Sequence, residues 1–300
     1  MSRRREALDV QLPGVRGRAT DFLALTKPRV VLMVLATTFV GFYLGTSGGP
    51  DYGRLLHTLF GTALAAGGTI ALNQYLEHDV DARMERTRLR PLPDGRLQPR
   101  EALIFGAAIT AGGVLYLTLG VNLLSGLVTA TSVGSYLCLY TPLKRKSPLS
   151  TLVGAIPGAL PPVIGWAAAR GELPVEAWVL FAILFLWQIP HSLAIAWLYR
   201  DDYAKGGLRP LPVIDPEGRN IGGPIVSHCS ALLIVGLLPK AVGLAGAVYF
   251  FGALALGIAF LWCGISLAIS RSARAARRLL HASLVYLPVL LLLMALDKVP

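Results

Sequence analysis

The 300-residue sequence has few charged residues and few cysteines. Charged residues make up 15% of the chain and apolar residues 54%, an apolar share above that of ordinary soluble domains. This shortage of charge excludes a typical solvated globular surface and favours a protein with many membrane spans. The three cysteines, Cys138, Cys229 and Cys263, show neither disulfide spacing nor a metal-site pattern. We therefore predict that they are small apolar core residues.

Acidic residues are also scarce, with 17 against 28 lysines and arginines, which gives a net charge of +11. A nucleic-acid-binding protein gathers such an excess on one soluble domain, whereas here the basic residues are spread among loops between apolar stretches. We therefore expect no nucleic-acid partner. The lipid bilayer and a phosphate-bearing substrate account better for the excess.

Long apolar stretches are abundant, and each can cross a hydrocarbon core that requires about 20 helical residues. They lie at about residues 30–47, 55–76, 102–119, 121–139, 151–169, 177–199, 221–239, 244–269 and 279–296. The predicted fold class is all-α, a polytopic membrane protein with nine transmembrane helices. We assign residues 26–300 to one transmembrane domain and residues 1–25 to a cytoplasmic N-terminal arm.

Lysines and arginines are distributed unevenly between the two sides of these spans. Before or at the first span, and in the loops after spans two, four, six and eight, there are 24, whereas the other side holds 4. Because loops rich in lysine and arginine stay in the cytoplasm, the amino terminus is predicted to be cytoplasmic and the carboxyl terminus to lie outside.

The most informative segment runs from Asn73 to Arg90 at the end of the second span. On a continuous helix Asn73, Glu77 and Asp81 share one face, whereas Asp79 points elsewhere. Oxygen ligands on one face, followed by arginines, suit Mg²⁺ ions that hold a diphosphate. The alternative is a polar loop whose acids pair with its own arginines.

Basic residues elsewhere can add contacts to the same anion. Lys144 and Arg145, in the loop after the fourth span, can complete a diphosphate clamp, because lysine supplies a compact charge and arginine a bidentate fork. Lys27 and Arg29 flank a proline at the start of the first span and can also reach an anionic substrate. Anchoring at the membrane surface is the alternative for all four residues.

Two spans carry further signals. Prolines and glycines between residues 154 and 165 predict a kinked fifth span, and a kinked helix can open a cavity. In the sixth span His191 precedes Asp202 by about three helical turns, so both can face one cavity unless Pro190 rotates the helix. His191 is either a hydrogen-bonded core residue or a group that binds a ligand or handles a proton.

These segments resemble the UbiA superfamily of membrane prenyltransferases and, within it, the protoheme IX farnesyltransferases, or haem O synthases. The resemblance covers nearly the whole chain. It rests on residues 26–29 (TKPR), 73–90, 140–145 (YTPLKR), 161–166 (PPVIGW), 187–191 (WQIPH) and 202–213.

The resemblance implies a UbiA-type helical bundle around a central cavity, with Mg²⁺ as cofactor. It implies transfer of a farnesyl group from farnesyl diphosphate to a vinyl group of haem B, with water addition, giving haem O for terminal oxidase assembly. It also implies a place in the bacterial cytoplasmic (inner) membrane. Haem A synthase and oxidase assembly factors are the candidate protein partners.

Two sets of site residues follow from the resemblance. The catalytic and metal-binding set is Asn73, Glu77, Asp81 and Asp202. The substrate-binding set is Lys27, Arg86, Arg90, Tyr140, Lys144, Arg145, Gln188 and His191. Glu77 stands where the family usually has aspartate, and Leu198 stands where the superfamily has an aspartate four residues before Asp202. His191 matches the haem synthases and is assigned to the acceptor side.

Two other functions are compatible with parts of the sequence. A UbiA-type prenyltransferase acting on an aromatic or quinone-precursor acceptor would share the acidic motif, but the segments at residues 140–145 and 187–191 argue against it. A transporter with an ion relay would place acids at mid-membrane, whereas here the acids concentrate at the ends of spans.

Overall fold

A computed structural model describes residues 15–299, with side chains from residue 17 onward. Within this part of the chain, nine helical stretches are long and apolar enough to cross a membrane, which confirms the predicted all-α fold of an integral membrane protein. These stretches are Pro28–Gly45, Tyr52–Leu76, Pro99–Gly120, Leu123–Leu143, Ser150–Arg170, Val175–Leu198, Gly222–Ala241, Ala247–Ser270 and Ala273–Leu296.

Several spans are built from more than one helix. In chain order the α-helices are α1 (Val15–Leu25), α2 (Pro28–Gly45), α3 (Tyr52–Leu76), α4 (His78–Asp81), α5 (Pro99–Gly120), α6 (Leu123–Gly134), α7 (Thr141–Leu143), α8 (Ser150–Ala159), α9 (Pro161–Arg170), α10 (Val175–Leu198), α11 (Arg200–Lys205), α12 (Leu211–Ile214), α13 (Gly222–Val235), α14 (Leu238–Ala241), α15 (Ala247–Ser270) and α16 (Ala273–Leu296). A π-helical turn, Ser135–Tyr140, joins α6 to α7.

Glycines allow the backbones of the first spans to approach closely. A Cβ atom on Gly41 of α2 would lie 2.0 Å from the carbonyl oxygen of Pro162 in α9. One on Gly68 of α3 would lie 2.3 Å from the Thr110 hydroxyl oxygen of α5. Small residues drive such packing in lipid, where apolar burial gives little driving force between helices. These contacts fix α2 against α9 and α3 against α5.

The fifth span is kinked, as predicted. Helix α8 ends at Ala159 and α9 begins at Pro161, so that Leu160 separates two helices of ten residues each. Proline lacks the amide hydrogen that would continue the ladder of helical hydrogen bonds. Pro157, Gly158 and Pro161, around this break, line the central cavity.

The described part of the predicted N-terminal arm is helical. In α1, Leu25 is fully buried, and its carbonyl oxygen accepts a hydrogen bond from Gln74 Nε2 of α3 at 2.5 Å. Asp21, also buried, forms an ion pair with Arg96. Residues 15–25 therefore pack on the bundle, and residues 1–14 lie outside the described part. The domain boundary at residue 26 stays a prediction.

The cysteine prediction is correct for Cys229 and partly correct for Cys263, which packs against the hydrophobic core. Cys229 is buried, Cys263 is half-buried and Cys138 is exposed. The prediction of a core position is wrong for Cys138 because an apolar side chain of a membrane span is equally stable against lipid.

Candidate active site

A cavity of about 470 Å³ lies between the spans. It reaches from side chains inside the second span, such as Thr62 and Ala66, to charged side chains beyond the end of that span. The charged residues in its wall are Lys27, Glu77, Asp81, Arg86, Arg90 and Lys144. The apolar residues in its wall include Val30, Val34, Ala65, Ile70, Val133, Ile164 and Ile195. The cavity therefore suits a ligand with an anionic head and an apolar body.

The acidic motif lines this cavity, although not on a single helix. Helix α3 ends at Leu76, Glu77 has φ −112° and ψ 12°, and α4 begins at His78. The continuous helix on which the shared face was based is therefore interrupted at Glu77. Hydrogen bonds from Glu77 N to the Asn73 carbonyl and from Asp81 N to the Glu77 carbonyl still connect the turns, at 3.0 and 2.8 Å. Because of them, the three side chains reach the same cavity.

Glu77 is the centre of a buried polar cluster. Its Oε2 accepts hydrogen bonds from Lys144 Nζ and from Asn73 Nδ2, both at 2.9 Å. Its Oε1 is buried and has no hydrogen-bond partner among the described residues. Burial lowers the pKa of the Lys144 ammonium, but two neighbouring tyrosines and Glu77 outweigh burial and hold that pKa above its ordinary value. Lys144 is therefore a fixed positive charge at the cavity wall.

Asp81 forms the second ion pair of the cavity. Asp81 is 3% exposed, and its Oδ2 accepts a hydrogen bond from Arg90 at 2.5 Å. The Thr87 hydroxyl donates to the Asp81 carbonyl oxygen at 2.8 Å, which fixes the loop that carries Arg90. Burying an ion pair costs desolvation energy that its attraction often does not recover. Such an arrangement at a cavity wall indicates a binding role.

Lys27, which directly precedes the first span, adds another cation to the cavity wall. It adopts the left-handed conformation, φ 47° and ψ 70°, before Pro28 opens α2. This conformation is strained for a residue with a side chain, and such strain concentrates at functional sites. Burial, and then the charge of Arg90, lower the pKa of Lys27 to about 8, although Asp81 opposes the shift.

Arg86 stands at the cavity wall between two aromatic rings. Its guanidinium lies 5.8 Å from the ring centre of Tyr199 and 5.6 Å from that of Tyr203. Asp202 does not line the cavity, although we predicted it as a metal ligand. Its carboxylate instead accepts backbone hydrogen bonds from Glu85 N at 2.8 Å and Arg86 N at 3.4 Å. Asp202 thereby holds the backbone that carries Arg86.

Arg145 lies outside the cavity and pairs with Asp79. The two side chains are joined at 2.6 and 3.1 Å and are both partly exposed. Desolvation alone would raise the pKa of Asp79. The hydrogen bond and the charge of Arg145 lower it by more, so that the pKa of Asp79 lies below its usual range. The prediction that Asp79 points elsewhere is confirmed. Arg145 points away from the cavity toward Asp79, whereas its neighbour Lys144 lies in the cavity wall.

Residues of the sixth span divide between two faces. Gln188 lines the cavity, and a Cβ atom on Gly158 would lie 2.3 Å from its Oε1, so glycine makes room for this amide. His191 does not line the cavity. Its Nδ1 lies 2.7 Å from the Ser283 hydroxyl of α16, and its ring stacks on Trp187 at 4.8 Å between centroids. The spacing between His191 and Asp202 in the sequence did not indicate that the His191 ring faces α16 instead of the cavity.

Aromatic residues of the fourth span complete the wall. Tyr140, predicted from the sequence, lines the cavity, and Lys144 Nζ lies 4.3 Å from its ring centre. Tyr136 and, after the sixth span, Tyr203 were missed by the sequence analysis and line the same cavity. Tyr136 precedes Tyr140 by four residues. This helical spacing indicates that the two side chains share a face, and both line the cavity.

The residues fit a magnesium ion that is bound partly by the protein and partly by a diphosphate. Among residues 17–299 no group of three or more histidine, cysteine, aspartate or glutamate side chains could hold a metal by itself. Mg²⁺ usually uses one or two carboxylates together with substrate phosphates and water. Glu77 and Asp81 supply two carboxylates, and Glu77 Oε1, which no described residue contacts by a hydrogen bond, is an oxygen of the required kind.

Comparison with known proteins relates the whole chain to one family. The sequence matches the UbiA prenyltransferase family over residues 34–290. The protoheme IX farnesyltransferase of Solibacter usitatus is 49% identical over 287 residues, which cover 93% of this chain and 98% of that protein. The protoheme IX farnesyltransferase of Koribacter versatilis is 42% identical over 308 residues and covers 99% of each chain.

Solved structures share the fold at low sequence identity. A digeranylgeranylglyceryl phosphate synthase superposes with a TM-score of 0.77 at 15% identity, over 93% of this chain and 98% of that chain. A UbiA homologue from Archaeoglobus fulgidus, bound to GPP and Mg²⁺, gives a TM-score of 0.63 at 16% identity, over 91% of this chain and 99% of that chain. These similarities confirm the predicted UbiA-type bundle.

Lys27 is expected to make anion binding depend on pH. Its lowered pKa of about 8 means that the free protein loses this charge above pH 8. The affinity for inorganic diphosphate with Mg²⁺, measured by titration calorimetry, should therefore fall by up to about fivefold between pH 8 and pH 9, because a charge-assisted hydrogen bond is lost. Lys27→Arg should remove this dependence, since a guanidinium stays protonated. An unchanged pH profile in Lys27→Arg would assign the dependence to another group.

Proposed function

The chain belongs to the UbiA prenyltransferase family, and we propose that it transfers a farnesyl group from farnesyl diphosphate to a vinyl group of haem B (protoheme IX), giving haem O. The observation that carries this proposal is the cavity, which joins a cluster of buried charges to an apolar interior within the spans. The names of the relatives at 42% and 49% identity support haem B as the acceptor.

The charged end of the cavity would hold the diphosphate. Asn73, Glu77 and Asp81 would hold Mg²⁺, which when bound neutralises the diphosphate and stabilises it as a leaving group. Arg86, Arg90, Lys144 and Lys27 would contact its outer oxygens. Arg90 and Lys144 are already fixed by ion pairs and Arg86 by ring contacts, so these three cations need little reorganisation as negative charge develops on the leaving group.

The reaction would begin when the allylic carbon–oxygen bond breaks and its electron pair leaves with the diphosphate. The π electrons of a haem vinyl group then attack the farnesyl cation and form the new carbon–carbon bond. The positive charge moves to the neighbouring vinyl carbon, where water adds and loses a proton. The apolar side chains that line the cavity would exclude other water until the carbon–carbon bond has formed.

Gln188 and His191 are proposed for the acceptor side. The amide of Gln188 reaches the cavity, where it can donate to or accept from an acceptor or a water molecule. His191 lies one turn further along α10, with its ring fixed by Ser283 and Trp187. Asp202 is proposed to act through the backbone of Arg86 and through metal binding when substrate is present.

The protein is an integral membrane protein, and we propose that it lies in the bacterial cytoplasmic membrane. The excess of lysine and arginine on one side supports a cytoplasmic amino terminus and a carboxyl terminus outside. The charged end of the cavity, beyond the end of the second span, would then face the cytoplasm. Haem A synthase and oxidase assembly factors are proposed as partners that receive the product.

The reaction itself can be tested with the purified protein. After incubation with haem B, farnesyl diphosphate and Mg²⁺, the porphyrin should gain the mass of one hydrated farnesyl unit, and a chelator should prevent the gain. If haem B is unchanged while an aromatic or quinone-precursor acceptor is prenylated under the same conditions, the acceptor in this proposal is wrong.

The acidic motif offers a matched pair of substitutions. Asp81→Asn should lower turnover by at least about 100-fold, because it removes a charge that would hold the metal and diphosphate. Asp79→Asn should change turnover less than about twofold, because Asp79 pairs with Arg145 outside the cavity. Turnover is followed by the porphyrin mass, and folding by the melting temperature in detergent. Equal losses in the two variants would remove Asp81 from its proposed role.

A further inference from the structure

The side-chain amide of Asn73 is held in one orientation. Its Nδ2 donates to Glu77 Oε2 at 2.9 Å and to the Thr141 hydroxyl oxygen at 3.1 Å. Both hydrogens of the amide are thereby engaged, and among residues 17–299 no hydrogen bond to Asn73 Oδ1 is formed. Since Asn73 lines the cavity, its oxygen is the atom left for a ligand.

Thr141 gives this arrangement its direction. The Thr141 hydroxyl donates to the carbonyl oxygen of Tyr136 at 2.9 Å, so its single hydrogen is engaged and it faces Asn73 as an acceptor. A reversed Asn73 amide would set oxygen against oxygen at Thr141 and again at the Glu77 carboxylate. Thr141 is 5% exposed and Asn73 4% exposed, so water does not relieve either conflict.

The π-helical turn explains why Thr141 reaches Asn73. In this turn the amide of Thr141 bonds to the Tyr136 carbonyl five residues earlier, instead of the four-residue spacing of an α-helix. Both the amide and the hydroxyl of Thr141 therefore donate hydrogen bonds to the carbonyl oxygen of Tyr136. Tyr136 and Tyr140 remain in the cavity wall while the following residue contacts α3.

We propose that Thr141 is a positioning residue that holds the Asn73 amide with its oxygen toward the cavity, where it serves the magnesium–diphosphate complex. The proposal rests on the proposed function in so far as the ligand is that complex. Oxygen is required because Mg²⁺ takes oxygen ligands, and an NH₂ group turned toward the ion would repel it. Thr141 itself touches neither the ion nor the substrate.

The test measures metal binding directly. The affinity of the full-length protein for Mn²⁺ in the presence of inorganic diphosphate is read from the electron paramagnetic resonance signal of free Mn²⁺. Thr141→Val keeps the shape of the side chain but removes the acceptor, and should weaken Mn²⁺ binding about tenfold. Thr141→Ser should restore affinity to within about twofold of the parent. Thr131→Val, on the neighbouring helix α6, is the matched control and should have no effect.

A double substitution separates positioning from a general structural effect. A carboxylate presents an oxygen in either orientation, so in an Asn73→Asp background Thr141→Val should weaken Mn²⁺ binding less than twofold further. Equal weakening by Thr141→Ser and Thr141→Val, or no weakening by Thr141→Val, would overturn the proposal. If Thr141→Val does not fold, Thr141→Ala serves in the same cycle with the same expectations.

The outcome is independent of the identity of the acceptor. A parent protein that binds Mn²⁺ and diphosphate but leaves haem B unchanged contradicts the proposed acceptor, while the Thr141 series still decides the positioning role. A parent protein that binds neither Mn²⁺ nor diphosphate overturns both proposals.

Discussion

Two carboxylates buried at the end of a membrane span are the constraint on which the rest of the site depends. Glu77 and Asp81 are 7% and 3% exposed, and each is paired with a cation from another part of the chain. Buried charges are costly unless they are paired and hydrogen-bonded. Lys144 and Arg90 supply the pairing, yet within residues 17–299 Glu77 Oε1 still has no hydrogen-bond partner. The incomplete pairing is understandable if a metal and an anion join the cluster in function.

The helical scaffold makes this cluster accessible to an apolar ligand. Close glycine contacts hold α2 against α9 and α3 against α5, and α2, α3 and α9 each contribute residues to the cavity wall. The break at Leu160 and the π-helical turn before Thr141 open the space between the walls and aim tyrosine side chains into it. Irregular backbone inside a membrane protein is tolerated where it lines a cavity, and both irregularities occur there.

The spans and most of the cavity residues could be predicted from the sequence, because apolar stretches report burial in lipid and helical spacing reports which residues share a face. Asn73, Glu77, Asp81 and Lys144 illustrate this success. Backbone angles at Glu77 could not be predicted, since spacing carries no information on a local break. The partners of Arg145 and His191 also depend on packing between distant helices, which one sequence does not encode locally.

The most direct test of the charged cluster as a metal and diphosphate site is an anomalous diffraction map of crystals grown with Mn²⁺ and a non-reactive farnesyl thiodiphosphate. The account predicts a manganese peak beside the Glu77 and Asp81 carboxylates, with the diphosphate between Lys144 and Arg90. A diphosphate bound elsewhere, or bound here with no manganese peak near either carboxylate, would contradict it.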